Sequence, residues 1–417
     1  MTMAWREAAA PLRERNFRWF YAARFASLTG SMMVSVALAF AVLEISDSAS
    51  ALGLVLAANT TPMVVFLLFG GVLSDRFDRA RLMRFSAMAS FLSQATVATL
   101  VITDAAELWM VIALEVVNGA VSAVSFPAMS GVVPQLVPRA QLQSANVLLS
   151  MSRGALAVVG PTLAGVLVVT VGPGWALAVD ATMWLLVVAF LSRVRIPARP
   201  RERDEAQESM LTELREGWSI FTGTTWLWVV VVAFAVLNAI HAGAWFTLGP
   251  VLAKDTIGER GWGMVLSAES VGLLVVTAVL LRVRLRRPLR AGMLGCATFG
   301  VPLFLLGADP QLVVLVAATF VAGMGMEIFG LGWNLAMQEN IDESVLSRAY
   351  SYDALGSFVA MPVGQIIYGP LGEAFGYRTV LMVSGVVYTA VALLVLLSGP
   401  VRRLGRAPAA TVQATSG

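Results

Sequence analysis

The sequence predicts an all-α integral membrane protein with twelve transmembrane helices in two six-helix pseudo-repeat bundles. Three observations support this fold class: an apolar composition, twelve separate apolar runs, and an alternation of charge between the loops. Of 417 residues, 58% are hydrophobic and 13% are charged, whereas a soluble domain usually carries about 25% charged residues. This shortfall extends along the whole chain, so one hydrophobic anchor on a soluble domain does not explain it.

The apolar runs have the length of membrane spans, because about 20 helical residues cross a bilayer. Turn-forming residues separate them, as at Gly172-Pro173-Gly174 and Ala308-Asp309-Pro310. The first six predicted spans cover residues 19–43, 51–73, 83–103, 108–131, 142–171 and 175–192. The second six cover residues 225–252, 262–281, 291–307, 311–335, 349–371 and 378–398.

The loop charges predict the orientation of the spans, since cytoplasmic loops are enriched in lysine and arginine. Both termini and alternate loops together carry 24 such residues, while the opposite side carries only Lys254, Arg260 and Arg378. The sequence therefore predicts a multi-pass protein of the plasma (inner) membrane with both termini in the cytoplasm. This clustering also accounts for the net charge of +3, so we expect no nucleic-acid partner.

The longest polar stretch divides the chain. Residues 193–224 are predicted to be a cytoplasmic linker, in which apolar residues at helical spacing indicate an amphipathic helix that lies on the membrane or is a solvated linker. The predicted domains are a cytoplasmic N-terminus at 1–18, bundles at 19–192 and 225–398, and a disordered cytoplasmic tail at 399–417.

The two halves share a glycine- and proline-rich element, at an offset of about half the chain. It comprises Gly154, Pro161, Gly165 and Gly172 in the first half and Gly356, Pro362, Gly364, Gly369 and Gly376 in the second. Parallel half-repeats are typical of carriers that work by alternating access, in which two halves rock around a midplane cavity. A membrane-embedded enzyme or a receptor does not need this duplication.

The loop after the second span carries the most specific motif, Gly71-Val72-Leu73-Ser74-Asp75-Arg76-Phe77-Asp78-Arg79-Ala80-Arg81. It resembles the signature of the major facilitator superfamily, although Asp78 replaces the usual second glycine and Ala80 displaces one basic residue. The element Gly160-Pro161-Thr162-Leu163-Ala164-Gly165 is similar to the fifth helix of that family's proton antiporters. Pro127-Ala128 and Ala145-Asn146 resemble the macrolide-efflux and enterobactin-exporter type.

The resemblance implies a cytoplasmic gate. Asp75 would cap the N-terminus of the eleventh helix, because a carboxylate stabilises a helix N-terminus, and Arg76 is assigned to the same gate. Gly71 allows neighbouring helices to approach closely, and Asp353 is assigned to the same gate. In the alternative, Arg76, Arg79 and Arg81 only determine topology and contact lipid phosphates.

Ionisable residues within the spans are candidate functional groups, because a charge at the bilayer centre costs about 3 kcal/mol. We expect Glu115 to pair with Arg153, at similar depth, as a structural ion pair or as a coupling site. Asp180 would pair with Arg153 or cap the sixth helix. The proton-coupling candidates are Glu327, Glu269, Glu115, Asp180 and His241, and the candidate charge partners are Arg153 and Arg24.

In the second half the only arginine within a predicted span is Arg378, which is the first residue of the twelfth span. Glu269 and Glu327 therefore have no evident cationic partner, and an apolar surrounding favours the neutral form of a carboxyl. Such a group can load a proton on one side and release it on the other. The alternative is a protonated carboxyl bonded permanently to a neighbouring helix. His241 titrates in a suitable range, or serves as a structural donor.

The predicted function follows from what the chain contains and lacks. Aromatic residues and methionines in the spans favour an adaptable cavity for amphiphilic cargo. The sole lysine, Lys254, lies in an outer loop and no phosphate-binding loop is present, so we expect no nucleotide and no cofactor. We predict a non-enzymatic, monomeric, proton-coupled antiporter that exports small amphiphilic drugs, antibiotics or siderophore-like molecules. The alternatives are an importer or facilitator of a small metabolite and, more distantly, a membrane sensor or a membrane-embedded enzyme.

Overall fold

The computed structural model describes residues 10–76, 79–130, 132–138, 141–194, 218–219, 221–280, 285, 287–341 and 346–404. Helices account for nearly all of these residues. The helices of the first half are α1 (Arg15–Ser46), α2 (Ala49–Arg76), α3 (Arg79–Ile102), α4 (Leu108–Ser130), α5 (Leu142–Val171) and α6 (Pro173–Leu191). The predicted turn at Gly172 is confirmed, since Gly172 has φ 92° between α5 and α6, and Asp47 adopts a left-handed conformation with φ 47° after α1.

The helices of the second half include two that are irregular and one, the third, that is divided between Ala297 and Gly300. They are α7 (Thr225–Lys254), α8 (Gly258–Leu280), α9 (Pro288–Ala308), α10 (Leu312–Asn340), α11 (Leu346–Phe358 and Ala360–Phe375) and α12 (Tyr377–Leu397). Helix α7 contains a π-helical segment at His241–Leu248. Helix α11 is interrupted at Val359, three residues before Pro362, whose missing N–H removes one helical hydrogen bond.

The all-helical membrane fold is confirmed. In the described part of the chain, ten helices are long and apolar enough to cross a bilayer, and a shorter apolar helix covers Leu108–Ala123 of α4. Large apolar side chains such as Phe85, Val313 and Leu397 are more than 70% exposed on the periphery, as expected of a surface that faces lipid. The number of membrane crossings, twelve, stays a prediction.

Helix packing in the two halves follows the same plan. In the first half α2 packs on α4, α3 on α4 and α6, and α1 on α5 and α6. In the second half α8 packs on α10, α9 on α10 and α12, and α7 on α11. Most pairs of the first half therefore recur in the second with each helix number raised by six.

Two crossings join the halves, α2 with α11 and α5 with α8. Gly53 of α2 lies against the Gln365 carbonyl of α11, and Gly263 of α8 lies against the Pro161 carbonyl of α5. A Cβ at either glycine would overlap these backbone atoms, so both crossings need glycine for their close approach. Since α2 corresponds to α8 and α5 to α11, the two crossings are equivalent.

The end of the predicted linker contacts the second half. The rings of Trp218 and Phe221 lie 5.9 Å from the ring of Tyr352 in α11. Residues 195–217, which include Leu211 and Leu214 of the predicted amphipathic helix, lie outside the described residues.

Candidate functional site

Glu115 is the centre of a buried polar cluster in the first half. Its side chain on α4 is 1% exposed. The side-chain amide of Asn59 on α2 donates a 2.7 Å hydrogen bond to it, and that of Gln94 on α3 donates one of 3.3 Å. These donors meet Glu115 because α2 and α3 both pack on α4. Neutral donors therefore offset the cost of burying this carboxyl.

The predicted ion pair between Glu115 and Arg153 is wrong. Neither residue forms a salt bridge with the other, although both lie in the described part of the chain. Arg153 is exposed on α5, beside Ser152, whose hydroxyl lies 2.5 Å from the hydroxyl of Tyr21 on α1. Arg153 thus lies toward α1, whereas Glu115 faces α2 and α3. Its electrostatic neighbour is another cation, Arg24.

Asp180 is equally buried but has a different environment. It is 1% exposed on α6 and lies against Gly30 of α1. Its Oδ1 atom has no hydrogen-bond partner. Neither predicted role is observed: no salt bridge joins Asp180 to Arg153, and the residue lies inside α6, whose N-cap is Gly172.

Glu269 lies among aromatic residues in the second half. Its side chain on α8 is partly exposed. The indole N–H of Trp245 lies near this carboxyl but makes no hydrogen bond of standard length. Trp245 belongs to the π-helical segment of α7, and its ring lies 4.8 Å from that of Trp262. π-helical segments are frequent at functional sites.

Glu327 borders open space. Thr277 of α8 donates a 3.0 Å hydrogen bond to the Oε1 atom of Glu327 on α10. A Cβ added at Gly330, one turn further along α10, would meet only the other carboxyl oxygen of Glu327, at 4.0 Å. The carboxyl is therefore anchored on one side and accessible on the other, as a group that exchanges protons must be.

His241 begins the π-helical segment. Its ring contacts those of Phe246 and Phe299 edge-on, with centroids 5.0 and 4.7 Å apart. Its Nε2 atom is buried without a hydrogen-bond partner. Within the described residues, no group of three or more His, Cys, Asp or Glu side chains is arranged to hold a metal ion.

Equivalent helix crossings carry the carboxyls of the two halves. Gly119 of α4 lies against the backbone of Asn59 on α2, and Gly323 of α10 lies against the backbone of Glu269 on α8. Glu115 precedes Gly119 by one helical turn, and Thr319 precedes Gly323 by one turn. The acidic residue is thus on α4 in the first half and on α8 in the second.

Polar contacts close one end of the interface between the halves, the end that contains Asp47 and Lys254 and that the loop charges predict to be the outer end. Lys254 Nζ lies 2.7 Å from Asp47 Oδ1. Glu373 at the end of α11 accepts hydrogen bonds of 2.9 Å from the Ser48 hydroxyl and 3.1 Å from the Ser50 N–H. A carboxylate of one half therefore caps α2 of the other. These contacts were not predicted from the sequence, because they join residues more than 200 positions apart.

The glycine- and proline-rich element of α5 lies at the contact between the halves. Gly160 faces Met32 of α1, while Pro161 and Gly165 face α8. The neighbouring Thr162 hydroxyl lies 2.7 Å from that of Ser267 on α8. This element therefore lets α5 pack closely on two helices at once.

The predicted cytoplasmic gate is described only in part. The side chains of Gly71, Asp75, Arg76 and Arg79 lie outside the described residues. Asp353 of α11 accepts a 2.9 Å hydrogen bond from the Trp333 indole of α10. This contact stays within the second half.

The comparisons with known proteins agree with this architecture. A family model described as "Transmembrane secretion effector" matches residues 6–411. Macrolide efflux protein A of Streptococcus pyogenes is 22% identical, over 93% of this chain and 97% of that protein. The enterobactin exporter EntS of Citrobacter koseri is 23% identical, over 94% of each chain. The structure of the nucleoside transporter NupG has a TM-score of 0.71 at 12% identity, covering 93% of this chain and 99% of that one, which shows a shared fold.

Proposed function

Since this chain belongs to the transmembrane secretion effector family of the major facilitator superfamily, whose members are non-enzymatic transporters, we propose that it exports small amphiphilic molecules. The relatives that match nearly the whole chain carry the names of a macrolide efflux protein and an enterobactin exporter. These names support an antibiotic-like or siderophore-like cargo that leaves the cell.

The transport cycle is alternating access. The observation that carries this mechanism is the pair of equivalent crossings, α2 with α11 and α5 with α8, through which the halves meet. Equivalent contacts on either side of a central axis let the halves rock without losing their packing. The polar contacts of Asp47, Lys254 and Glu373 close the outer end, and breaking them would open it.

Export is driven by protons in exchange for substrate. Glu327 supports this step because its carboxyl adjoins open space and one hydroxyl donor. Glu269 is the second candidate, partly exposed beside Trp245. Asp180 is buried and His241 is partly exposed, and each has a buried atom without a hydrogen-bond partner; both rank below Glu327 and Glu269. No cofactor takes part.

The protein acts as a monomer in the plasma membrane, with both termini in the cytoplasm. The termini and the loops on their side carry 24 basic residues and the opposite side carries three, which supports this orientation. Reporter fusions after Ala106 and Gly172 are expected to be extracytoplasmic, and fusions after Arg79 and Glu205 cytoplasmic. One opposite result would contradict the orientation.

Inside-out membrane vesicles with an acidic interior test the function. Radiolabelled erythromycin and enterobactin are offered outside, and vesicles without the protein serve as the control. We expect at least one compound to accumulate above its outside concentration, and nigericin, which dissipates the pH gradient, to abolish accumulation. Equilibration without accumulation would indicate a facilitator. Accumulation only with the opposite gradient would indicate an importer.

A further inference from the structure

One face of α5 is polar and accessible although the helix crosses the membrane. Asn146, Ser150 and Arg153 recur at helical spacing and are exposed. The exposed residues on another flank, Val159 and Leu163, are apolar. Because an arginine in a membrane helix faces a water-filled cavity rather than lipid, the face with Arg153 lines the space between the halves.

Helix α1 presents a matching face. Ser31 and Ser35 are exposed and share one side of the helix with Arg24. The hydrogen bond between Tyr21 and Ser152 fixes α1 against α5 one turn from Arg24 and one residue from Arg153. The polar faces of the two helices therefore border the same cavity.

Arg24 and Arg153 lie within electrostatic range of each other, and they are the two basic residues that lie away from the ends of the predicted spans. Two neighbouring guanidinium groups repel each other, and an anion bound between them would relieve that repulsion. A guanidinium presents a planar set of donors that matches a carboxylate. Arg153 forms no hydrogen bond or ion pair with any described residue, so its donors remain available.

We propose that Arg24 and Arg153 form the polar end of the substrate site and bind the acidic group of an anionic amphiphile, with a carboxylate as the best-fitting group. The apolar part of the cargo would extend along the cavity beyond them. This inference rests on the proposed export function and specifies its substrate class.

Binding of three probes with one ring system tests the charge preference: 2-naphthoate, 2-naphthamide and 2-naphthylmethylammonium. Equilibrium dialysis is performed against the purified full-length protein in nanodiscs, with empty nanodiscs subtracted. We expect the anion to bind about tenfold more tightly than the amide, because a hydrogen bond to a charged group is worth that factor or more, and the cation to bind most weakly. Equal affinities, or a preference for the cation, would overturn the proposal.

Substitutions of the two arginines test whether they form the anion-binding site. Arg153→Gln and Arg24→Gln should each reduce the affinity for 2-naphthoate about tenfold and leave that for 2-naphthamide unchanged. Arg153→Lys, which keeps the charge, should fall between wild type and Arg153→Gln. Arg15→Gln, at the exposed start of α1, should bind like wild type. Anion preference that survives in both glutamine variants would overturn the proposal. Binding is measured without transport, so this failure is distinct from failure of the vesicle experiment.

Discussion

The two halves of the protein place a carboxyl at the same helix crossing but on opposite partners. In the first half Glu115 of α4 faces Asn59 of α2, and in the second half Glu269 of α8 occupies the position equivalent to Asn59. The residue equivalent to Glu115 is Thr319, which is fully buried and has no hydrogen-bond partner. The backbone contact between the two helices is present in both halves, but the acidic side chain lies on α4 in the first half and on α8 in the second.

The surroundings of the two carboxyls differ, so that one suits a structural role and the other suits proton exchange. Glu115 is buried and held by amide donors from two helices. Glu269 is partly exposed and has no standard hydrogen bond to a described residue. A buried carboxyl that is held by donors from two helices is part of a rigid element, whereas a loosely held carboxyl can exchange protons. We therefore propose that the first crossing contributes stability and that the second half couples protons to transport.

The largest expected difference is in stability. Glu115→Ala would leave the amides of Asn59 and Gln94 without their acceptor and lower the free energy of unfolding by about 3 kcal/mol, since each buried unsatisfied group costs about 1–3 kcal/mol. Glu269→Ala should cost about 1 kcal/mol or less, because no standard hydrogen bond is lost. Denaturant unfolding in detergent measures both. Equal losses would remove the distinction between the crossings.

A smaller difference in stability is expected for variants of Asn59 and Thr319, the neutral residues that lie opposite the two carboxyls at these crossings. Asn59→Leu would leave the buried Glu115 without its shortest hydrogen bond and is expected to cost about 1–3 kcal/mol. Thr319→Val removes a hydroxyl that has no partner, so stability should stay within about 0.5 kcal/mol of wild type or rise. The same unfolding experiment applies. A large loss from Thr319→Val would mean that its hydroxyl is engaged in another conformation.

The smallest effect concerns the outer closure. Glu373→Gln removes a charge that caps α2, an interaction worth about 0.3–1 kcal/mol. Lys254→Ala breaks an ion pair whose Asp47 side chain is 82% exposed, and should have an effect of at most about 1 kcal/mol. Both variants should increase labelling from outside of a cysteine at Ser35, after Cys296 is replaced, by about two- to fivefold.

Arg378→Ala is the matched control for the outer closure. Arg378 lies on the same side but donates to the Ala308 carbonyl within the second half, so its removal should not change the labelling. If Glu373→Gln and Lys254→Ala also leave the labelling unchanged, these contacts do not hold the outer end closed.

Helix positions could be predicted because their signals are local. Apolar runs, the turn at Gly172 and the alternation of loop charge each depend on a few neighbouring residues. The partner of Glu115 could not be predicted, because the rise per residue gives the depth of a side chain but not its direction around the helix. Arg153 has a similar depth, yet it is exposed and lies toward α1.

The equivalence of Asn59 and Glu269 could not be predicted from the sequence for a related reason. These residues are 210 positions apart, whereas Gly119 and Gly323 are 204 apart, so no single offset aligns the halves. Only the packing of α2 on α4 and of α8 on α10 reveals the match. Likewise, the contact of Glu373 with Ser48 joins positions far apart in sequence.

Transport by carboxyl variants in vesicles tests the central claim, that carboxyls of the second half couple protons to export. For whichever compound the wild type accumulates, Glu327→Gln should abolish accumulation driven by the pH gradient but retain counterflow exchange, which needs no net proton movement. Glu269→Gln is measured alongside, and Glu115→Gln is the control expected to accumulate substrate. If Glu327→Gln, Glu269→Gln and the double variant all still accumulate substrate against its gradient, coupling does not reside in the second half.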